Sequence, residues 1–475
     1  MIDDEEREPE ADHALRVLKR RPPATLDWRP PDVVRRIVVR RRWRRGIGAA
    51  VVIAAAISGA VTLTNQTSPT RQPQAVATGP TKVAARLDGA VQLVADTTSA
   101  ARPDARAAAQ VSAAEQALSV ALLKQLSGSS NSAVSPLSLY LALGMLQNGA
   151  AGQTAAQIAH ALQAGSLSTG EQDAGLATLS AELNAAAAKD GITLQSANSL
   201  WQQQGFPLRP EFLADLATYF HSGVWQVDFQ RDMPAALRAI NTWTSQQTHG
   251  KITKLFDHLD PTTTVAVLAN AVYFHAAWLA PFEPDETKPG PFTTASGKSV
   301  TAKYMAGSGG GIVGDGYEAA QLPYTGGRFA ALAIMPLSES LPAFVDTLGA
   351  QQITAIAHSL RPNQSVALPR FTTTPSLNLV PVLKSLGMRD AFTDTADFSA
   401  LSTMRTKVEQ AIQRVYLAVG EHGTTAAAVT GLSIGLSSAV AQPTIRFDRP
   451  FLFLVRDTKT GAILFAAQIT DPTAG

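Results

Sequence analysis

Residues 421–451 read EHGTTAAAVTGLSIGLSSAVAQPTIRFDRPF, and between Glu421 and Arg446 the one side chain able to carry charge is His422. Gly423 supplies a pivot, and Thr424, Thr425, Ala426, Ala427 and Ala428 after it are all small and uncharged. Such a segment tolerates both exposure and burial. Small residues at alternate positions let a chain slide between existing strands, because every second side chain then meets a packed core with little spare volume. A Lys, Glu or Pro there would block insertion by burying a charge or removing a ladder donor. The plain alternative is an ordinary loop in an alanine-rich chain, so the surroundings have to decide.

The chain has 475 residues, 45% hydrophobic and 16% charged, which suits a folded protein able to bury a substantial core. The formal net charge of +2 hides an asymmetry. Arg35, Arg36, Arg40, Arg41, Arg42, Arg44 and Arg45 crowd the start of the chain, while the remainder is near neutral to acidic. A basic cluster of this kind reads as a nucleic-acid arm, a solvated tail or the cytoplasmic flank of a membrane span. Its neighbour selects the third reading. Gly46–Leu63, GIGAAVVIAAAISGAVTL, carries no charge and is just long enough to cross a hydrocarbon core of about 30 Å as a helix. The competing reading of that stretch is a buried helix.

With the Arg block on its inner side, the positive-inside rule leaves the N-terminus cytoplasmic and the rest outside the cell membrane. A cleaved secretory signal would have a short leader and a small-residue site directly after the apolar run, whereas Ala75-Val76-Ala77 lies well downstream. The expected organisation is therefore a cytoplasmic Arg-rich tail over 1–45, a single-pass anchor over 46–64, a flexible linker over 65–104 and one large domain over 105–475. The linker leaves a short helix near Val83 to Leu93 open. With zero cysteines there is no disulfide, no thiolate metal site and no cysteine nucleophile.

Amphipathic periodicity predicts helices over Ala107–Leu126, Pro136–Asn148, Thr154–Leu162 and Gly170–Ala188, with Ser135-Pro136 a serine-cap, proline-first start. Alternating or continuous β-like runs follow at Leu194–Trp201, Thr264–Tyr273, Phe329–Met335, Ser365–Phe371, Gln413–Val419, Thr444–Phe447, Phe451–Arg456 and Ile463–Ile469. Helices first and strands later, with helices interleaved, predict an α+β fold.

Two motifs tempt and fail. Gly431-Leu432-Ser433-Ile434-Gly435 matches a nucleophile elbow, which requires an acid and then a histidine further along, yet the last histidine, His422, precedes it. Gly309, Gly311 and Gly314 match G-x-G-x-x-G, but Asp315-Gly316-Tyr317-Glu318 does not open a dinucleotide helix, so a turn is predicted. No histidine spacing suggests a metal site, and the basic residues beyond the anchor form no aromatic-interleaved stripe for nucleic acid.

Separated segments then fit one family in order. Asn131-Ser132-Ala133-Val134-Ser135-Pro136-Leu137-Ser138, Asn241-Thr242-Trp243 with Thr248-His249-Gly250-Lys251-Ile252, Asn270-Ala271-Val272-Tyr273-Phe274 with Trp278, Leu368-Pro369-Arg370-Phe371, and Phe447-Asp448-Arg449-Pro450-Phe451 together resemble the serpins. The likeness runs from near Arg106 to the C-terminus. It implies a serpin-like α+β fold with three β-sheets, about eight or nine helices and an exposed reactive loop that inserts into the largest sheet.

It further implies a monomeric suicide-substrate inhibitor without catalytic residue, metal or cofactor. An extracellular serine protease attacks the loop, and insertion of the cut loop traps the acyl-enzyme as a covalent complex. Glu421, Gly423, Thr424, Ala426, Ala427, Ala428 and Val429 match the hinge, with Thr424, Ala426, Ala428 and Thr430 turning inward. Counting forward from Glu421 puts the reactive bond at Ser437-Ser438, and counting back from Phe447 puts it at Ala439-Val440; Leu436 also stays open. No Arg or Lys lies in the exposed loop, so elastase-, subtilisin- or chymotrypsin-like targets fit better than trypsin-like ones. Ser135, Ser138 and Asn270 match the sheet-opening cluster and Trp278 the aromatic at the insertion end. Gln413 stands where the family frequently has histidine, which removes a titrating switch. Two other readings compete: a non-inhibitory surface binding module and a membrane protein that senses cleavage.

Overall fold

The computed structural model describes residues 81–95, 101–126, 128–424 and 444–474. Helices dominate its first half. Ala105–Leu123 starts where the Asp104 carboxylate accepts the Ala107 N–H at 2.9 Å. Thr169–Lys189 starts with a capping box between Ser168 and Glu171. Pro136–Gly149 has the predicted proline in its first turn, but the Ser135 side chain does not cap it. That hydroxyl donates instead to the Leu464 carbonyl at 2.6 Å, because Ser135 is buried beneath a strand rather than free at a helix end. Gly152–Ala161, Pro210–Phe220, Met233–Gln247, Leu341–Thr347, Ala350–Ser359 and Leu379–Ser385 complete nine helices among the described residues.

The strands form two hydrogen-bonded sheets among the described residues, not the expected three. Ser299–Val313 is the reason. Lys288–Thr293 pairs with its residues 299–304, Arg361–Pro369 with 304–311 and Tyr317–Pro323 with 310–313, so two would-be sheets share one unbroken strand. Gly307, Gly309, Gly310 and Gly311 lie in this strand, and the predicted turn follows at its end, where the Gly314 N–H donates to the Tyr317 carbonyl at 2.8 Å and Gly316 takes a positive φ of 80°. The same nine-stranded sheet continues through Phe329–Pro336, Phe451–Asp457, Ile463–Ile469 and Ser132–Val134.

The ten-stranded sheet is built around Ala266–Ala277, a strand buried on both faces. Leu268, Val272, Phe274 and Ala276 point into the larger core with Tyr140 and Phe465. Val267, Ala269 and Ala271 point the other way, into a smaller core under helix Met233–Gln247 where Trp201 stacks on Trp225 at 5.1 Å and meets Trp243 edge-on. Thr193–Gln203 pairs antiparallel along one edge of this strand, and Gln410–Val415 pairs parallel along the other.

The stretch read as a tether with a possible short helix near Val83 to Leu93 holds a β-hairpin instead. Thr81–Leu87 pairs with Ala90–Ala95 across Asp88-Gly89, a two-residue turn of the type that favours hairpins. Ala90–Leu93 then pairs with Val224–Val227, and Ala90 joins the smaller core. The hairpin is thus held by tertiary pairing that no local periodicity announces. The anchor expected over 46–64 lies outside the described residues; among those described, no helix is long and apolar enough to cross a membrane.

Two buried acids make stability depend on pH. Burial raises the Glu115 carboxyl to about 8, only partly offset by the Ile463 N–H and Ser119 hydroxyl that it accepts. Burial also raises Asp173 to about 7, with Asn148 pulling the other way. Both bind protons in the folded chain that the unfolded chain has already released, so the stability these two contribute is full near pH 4 and is lost as pH rises towards 8. Glu115→Gln, which keeps the shape and removes one titration, is expected to flatten the decline in melting temperature between pH 5 and pH 8. A slope equal to the parent's would show that Glu115 is ionised in the fold.

Candidate functional site

Chain reversal at one end of the central strand builds the site. Leu417–Gly420 pairs with Phe371–Thr373, turns at Glu421 and His422, and returns as Gly423–Thr424. This two-residue strand lies between two others, antiparallel to both: Val419 and Gly420 on one side, Ala276 and Ala277 on the other. Gly423 adopts φ +145°, and a Cβ on it would fall 2.0 Å from the Ala276 carbonyl oxygen, so glycine alone fits.

Thr424 turns inward and is fully buried, its hydroxyl 2.6 Å from that of Tyr324. Burial holds the Tyr324 phenol far above its ordinary range, so it stays neutral and able to donate. Its ring stacks on Trp278 at 4.5 Å. The Trp278 indole N–H donates to the Gly420 carbonyl at 2.9 Å and its backbone N–H to that of His422 at 3.0 Å. Phe282 N–H donates to Glu421, whose carboxylate accepts from Thr287 at 2.9 Å and from Arg370 at 3.2 Å. The turn is therefore fastened on several sides.

A second cluster lies midway down the same strand. The Gln413 amide accepts the Ser135 N–H at 2.7 Å and donates to the Ser135 carbonyl at 3.0 Å and to Asn270 at 2.7 Å. Asn270 in turn donates to Ser138 at 2.8 Å and to Asn198, and Ser196 donates to Ser138 at 2.6 Å. This net joins helix Pro136–Gly149 to three neighbouring strands, Thr193–Gln203, Ala266–Ala277 and Gln410–Val415. None of its side chains titrates near neutral pH.

Of the residues singled out from sequence, Ser135, Ser138, Asn270 and Gln413 meet here, and Glu421, Gly423, Thr424 and Trp278 meet at the turn. Ala426, Ala427, Ala428, Val429, Thr430, Leu436, Ser437, Ser438, Ala439 and Val440 lie outside the described residues. Sequence reasoning missed Tyr324 and Thr287, which carry no local signal, and gave Arg370 no role although it lies in the quoted Leu368-Pro369-Arg370-Phe371 segment. It also missed Ser196 and Asn198, which lie two residues apart on one face of a strand rich in polar residues.

The protein-family model described as Serpin (serine protease inhibitor) matches residues 113–472. The chain belongs to the serpin family. Human neuroserpin is 33% identical over 71% of this chain and 85% of its own length. A serpin-like protein of Thermococcus kodakarensis is 32% identical over 74% of this chain and 84% of its own. Among solved structures, the thermophilic serpin tengpin in its native state superposes with a TM-score of 0.71 at 27% identity, covering 80% of this chain and 97% of that one. Human thyroxine-binding globulin complexed with its hormone also gives 0.71, at 26% identity, covering 77% of this chain and all of that one. Serpins are typically protease inhibitors rather than catalysts, and the hairpin 81–95 of this serpin precedes the matched region.

Gln413→Ala would leave the Ser135 N–H and the Asn270 amide oxygen without their partner, at a cost of about 1–3 kcal/mol for each buried group. Denaturant unfolding is expected to show that loss at all pH values. Gln413→His keeps a donor and an acceptor but titrates, and burial disfavours its charged form. Its stability deficit against the parent should widen as pH falls from about 7 to about 5. A deficit independent of pH would mean that the histidine escapes to solvent.

Proposed function

We propose that this serpin is a suicide-substrate inhibitor of a serine protease of elastase-, subtilisin- or chymotrypsin-like specificity. The observation that carries the reading is the position of Gly423–Thr424, already paired as a strand inside the sheet with Thr424 turned into the core. Continuing that antiparallel register, each residue further along the loop falls opposite one residue earlier in Ala266–Ala277. Ala426, Ala428 and Thr430 then fall opposite Phe274, Val272 and Asn270, facing the larger core, where small side chains are needed. Thr430 would meet Asn270 where the Gln413 amide now bonds it.

The register ends with Ile434 opposite Ala266. Leu436, Ser437, Ser438 and Ala439 all follow that point, so a loop cut after any of them can pair along the whole strand. Insertion would exchange one parallel pairing, Gln410–Val415 with Val267–Val272, for two antiparallel ones, which are slightly more stable per residue. That gain drives the cut loop inward, carrying an acylated protease with it before water can release it. No residue of the chain performs catalysis; the loop serves as substrate and moving part.

The test mixes the full-length chain with elastase, subtilisin and chymotrypsin and runs denaturing gels. A covalent complex is expected with at least one, and the first residue of the released peptide identifies the bond. Thr424→Arg cannot bury its charge, so it should still be cut but form at least tenfold less complex. Cutting of the parent without complex and without a gain in melting temperature would overturn inhibition and favour a non-inhibitory binding module.

We also propose that 46–64 anchors the serpin in a cell membrane with its folded domain outside, a reading supported by the uncharged run and the Arg block before it. Cell fractionation should recover the chain with membranes, released by detergent but not by high salt. Recovery in the soluble fraction would rule the anchor out.

A further inference from the structure

A cavity of about 690 Å³ lies where the pairing of the ten-stranded sheet is incomplete. Thr193–Gln203 is paired along its whole length with Ala266–Ala277, but on its other side it meets Val224–Val227 only through Leu200–Gln203. Residues 193–199 thus have no strand beside them there among the described residues. The space next to that edge is walled instead by helices Pro136–Gly149 and Thr169–Lys189, by the end of Pro210–Phe220 and by the hairpin 81–95, which contributes Ala85, Arg86, Leu87 and Gln92. Its volume is within the range of pockets that take drug-sized ligands.

The lining narrows the chemistry of what fits. Leu141, Met145, Leu194 and Phe220 give it an apolar wall. Ser138, Ser196 and Asn198 also reach it, but these are already bonded to one another and to Asn270. The Ser180 hydroxyl is different: it is buried with no hydrogen-bond partner, so it is left to serve a guest. Arg86 and His221 are the lining residues able to carry positive charge, and no Asp or Glu lines the cavity. Arg86 is exposed, so an acidic group beside it would gain an opposite charge without leaving water, whereas a cation would meet repulsion and find no carboxylate. The match to the family model starts at residue 113, so the hairpin and its arginine lie outside the region that it covers.

We propose that this cavity binds an amphipathic organic anion, with its apolar body among Leu141, Met145, Leu194 and Phe220 and its acidic group beside Arg86. No residue of the turn at Glu421–Thr424 lines the cavity, and binding there does not depend on trapping a protease. Trp225 and Trp243 do line it, which gives the site its own fluorescent reporter.

The experiment titrates the full-length chain with anilinonaphthalene sulfonate and, separately, with N-phenyl-naphthylamine, the same aromatic body without the acid. Binding is read from probe emission and from quenching of tryptophan emission. Saturable binding of the sulfonate at one site is expected. Arg86→Glu replaces an attraction by a repulsion and should weaken the sulfonate about tenfold while leaving the neutral probe within about twofold of the parent. Arg86→Gln, which only removes the charge, should fall between. Ala181→Phe, at an exposed helical position that lines the cavity, fills space without disturbing the core and should weaken both probes at least tenfold. A sulfonate affinity that does not move in either Arg86 variant, or a neutral probe that weakens alongside it, overturns the anion assignment. No saturable binding, or parent-like affinities in Ala181→Phe, overturns the site itself. Melting temperatures equal to the parent's confirm that each variant is folded when it is titrated.

Discussion

The parallel pairing of Gln410–Val415 with Val267–Val272 is the contact on which the rest of this architecture depends. It lies at the middle of a sheet buried on both faces, where an unpaired backbone group is costly. It is also replaceable. A strand running antiparallel to both members would satisfy twice as many edges, and two residues of such a strand, Gly423 and Thr424, already occupy its upper end. The Gln413 amide, bridging Ser135 and Asn270, fastens that pairing from the core side. In the proposed mechanism, insertion of the cut loop exchanges this single pairing for two.

The two ends of the loop are held differently. At the first end the described side chains are small, and the Thr424 hydroxyl lies 2.6 Å from that of the neutral, buried Tyr324. At the second end the Arg446 guanidinium lies 3.9 Å over the Tyr304 ring, with Gly290 leaving it room. Stacking of this kind is worth about 0.5–2 kcal/mol depending on desolvation, a large share of what a two-residue strand can muster.

Much of this was legible beforehand. The helix at Pro136–Gly149 and the strands at Ala266–Ala277, Phe329–Pro336 and Ile463–Ile469 follow the 3.6- and two-residue periods and the apolar runs of the sequence within a few residues. Ser135, Ser138, Asn270, Trp278 and Gln413 were found because they are polar or aromatic in ordered segments that resemble one family. The hairpin 81–95 was not found, although Asp88-Gly89 announces a turn, because its strands are short and acquire their partner, Val224–Val227, only through folding. The sheet count failed for a related reason: whether one long glycine-containing strand serves one sheet or two depends on what pairs with each part of it.

The sequence by itself determined several of the helices and strands, which loop positions are small enough to be buried, and that no histidine follows Ser433 to complete a nucleophile elbow. These follow from side-chain size, period and residue order along the chain. Only the tertiary structure decided that Gly423 and Thr424 rest already inside the sheet, that Thr424 meets a tyrosine 100 residues away, and that Arg446 is clasped by Tyr304 and Gly290 from two other strands. Such contacts join side chains remote in sequence, and their geometry is set by sheet register and close packing, which no local pattern encodes.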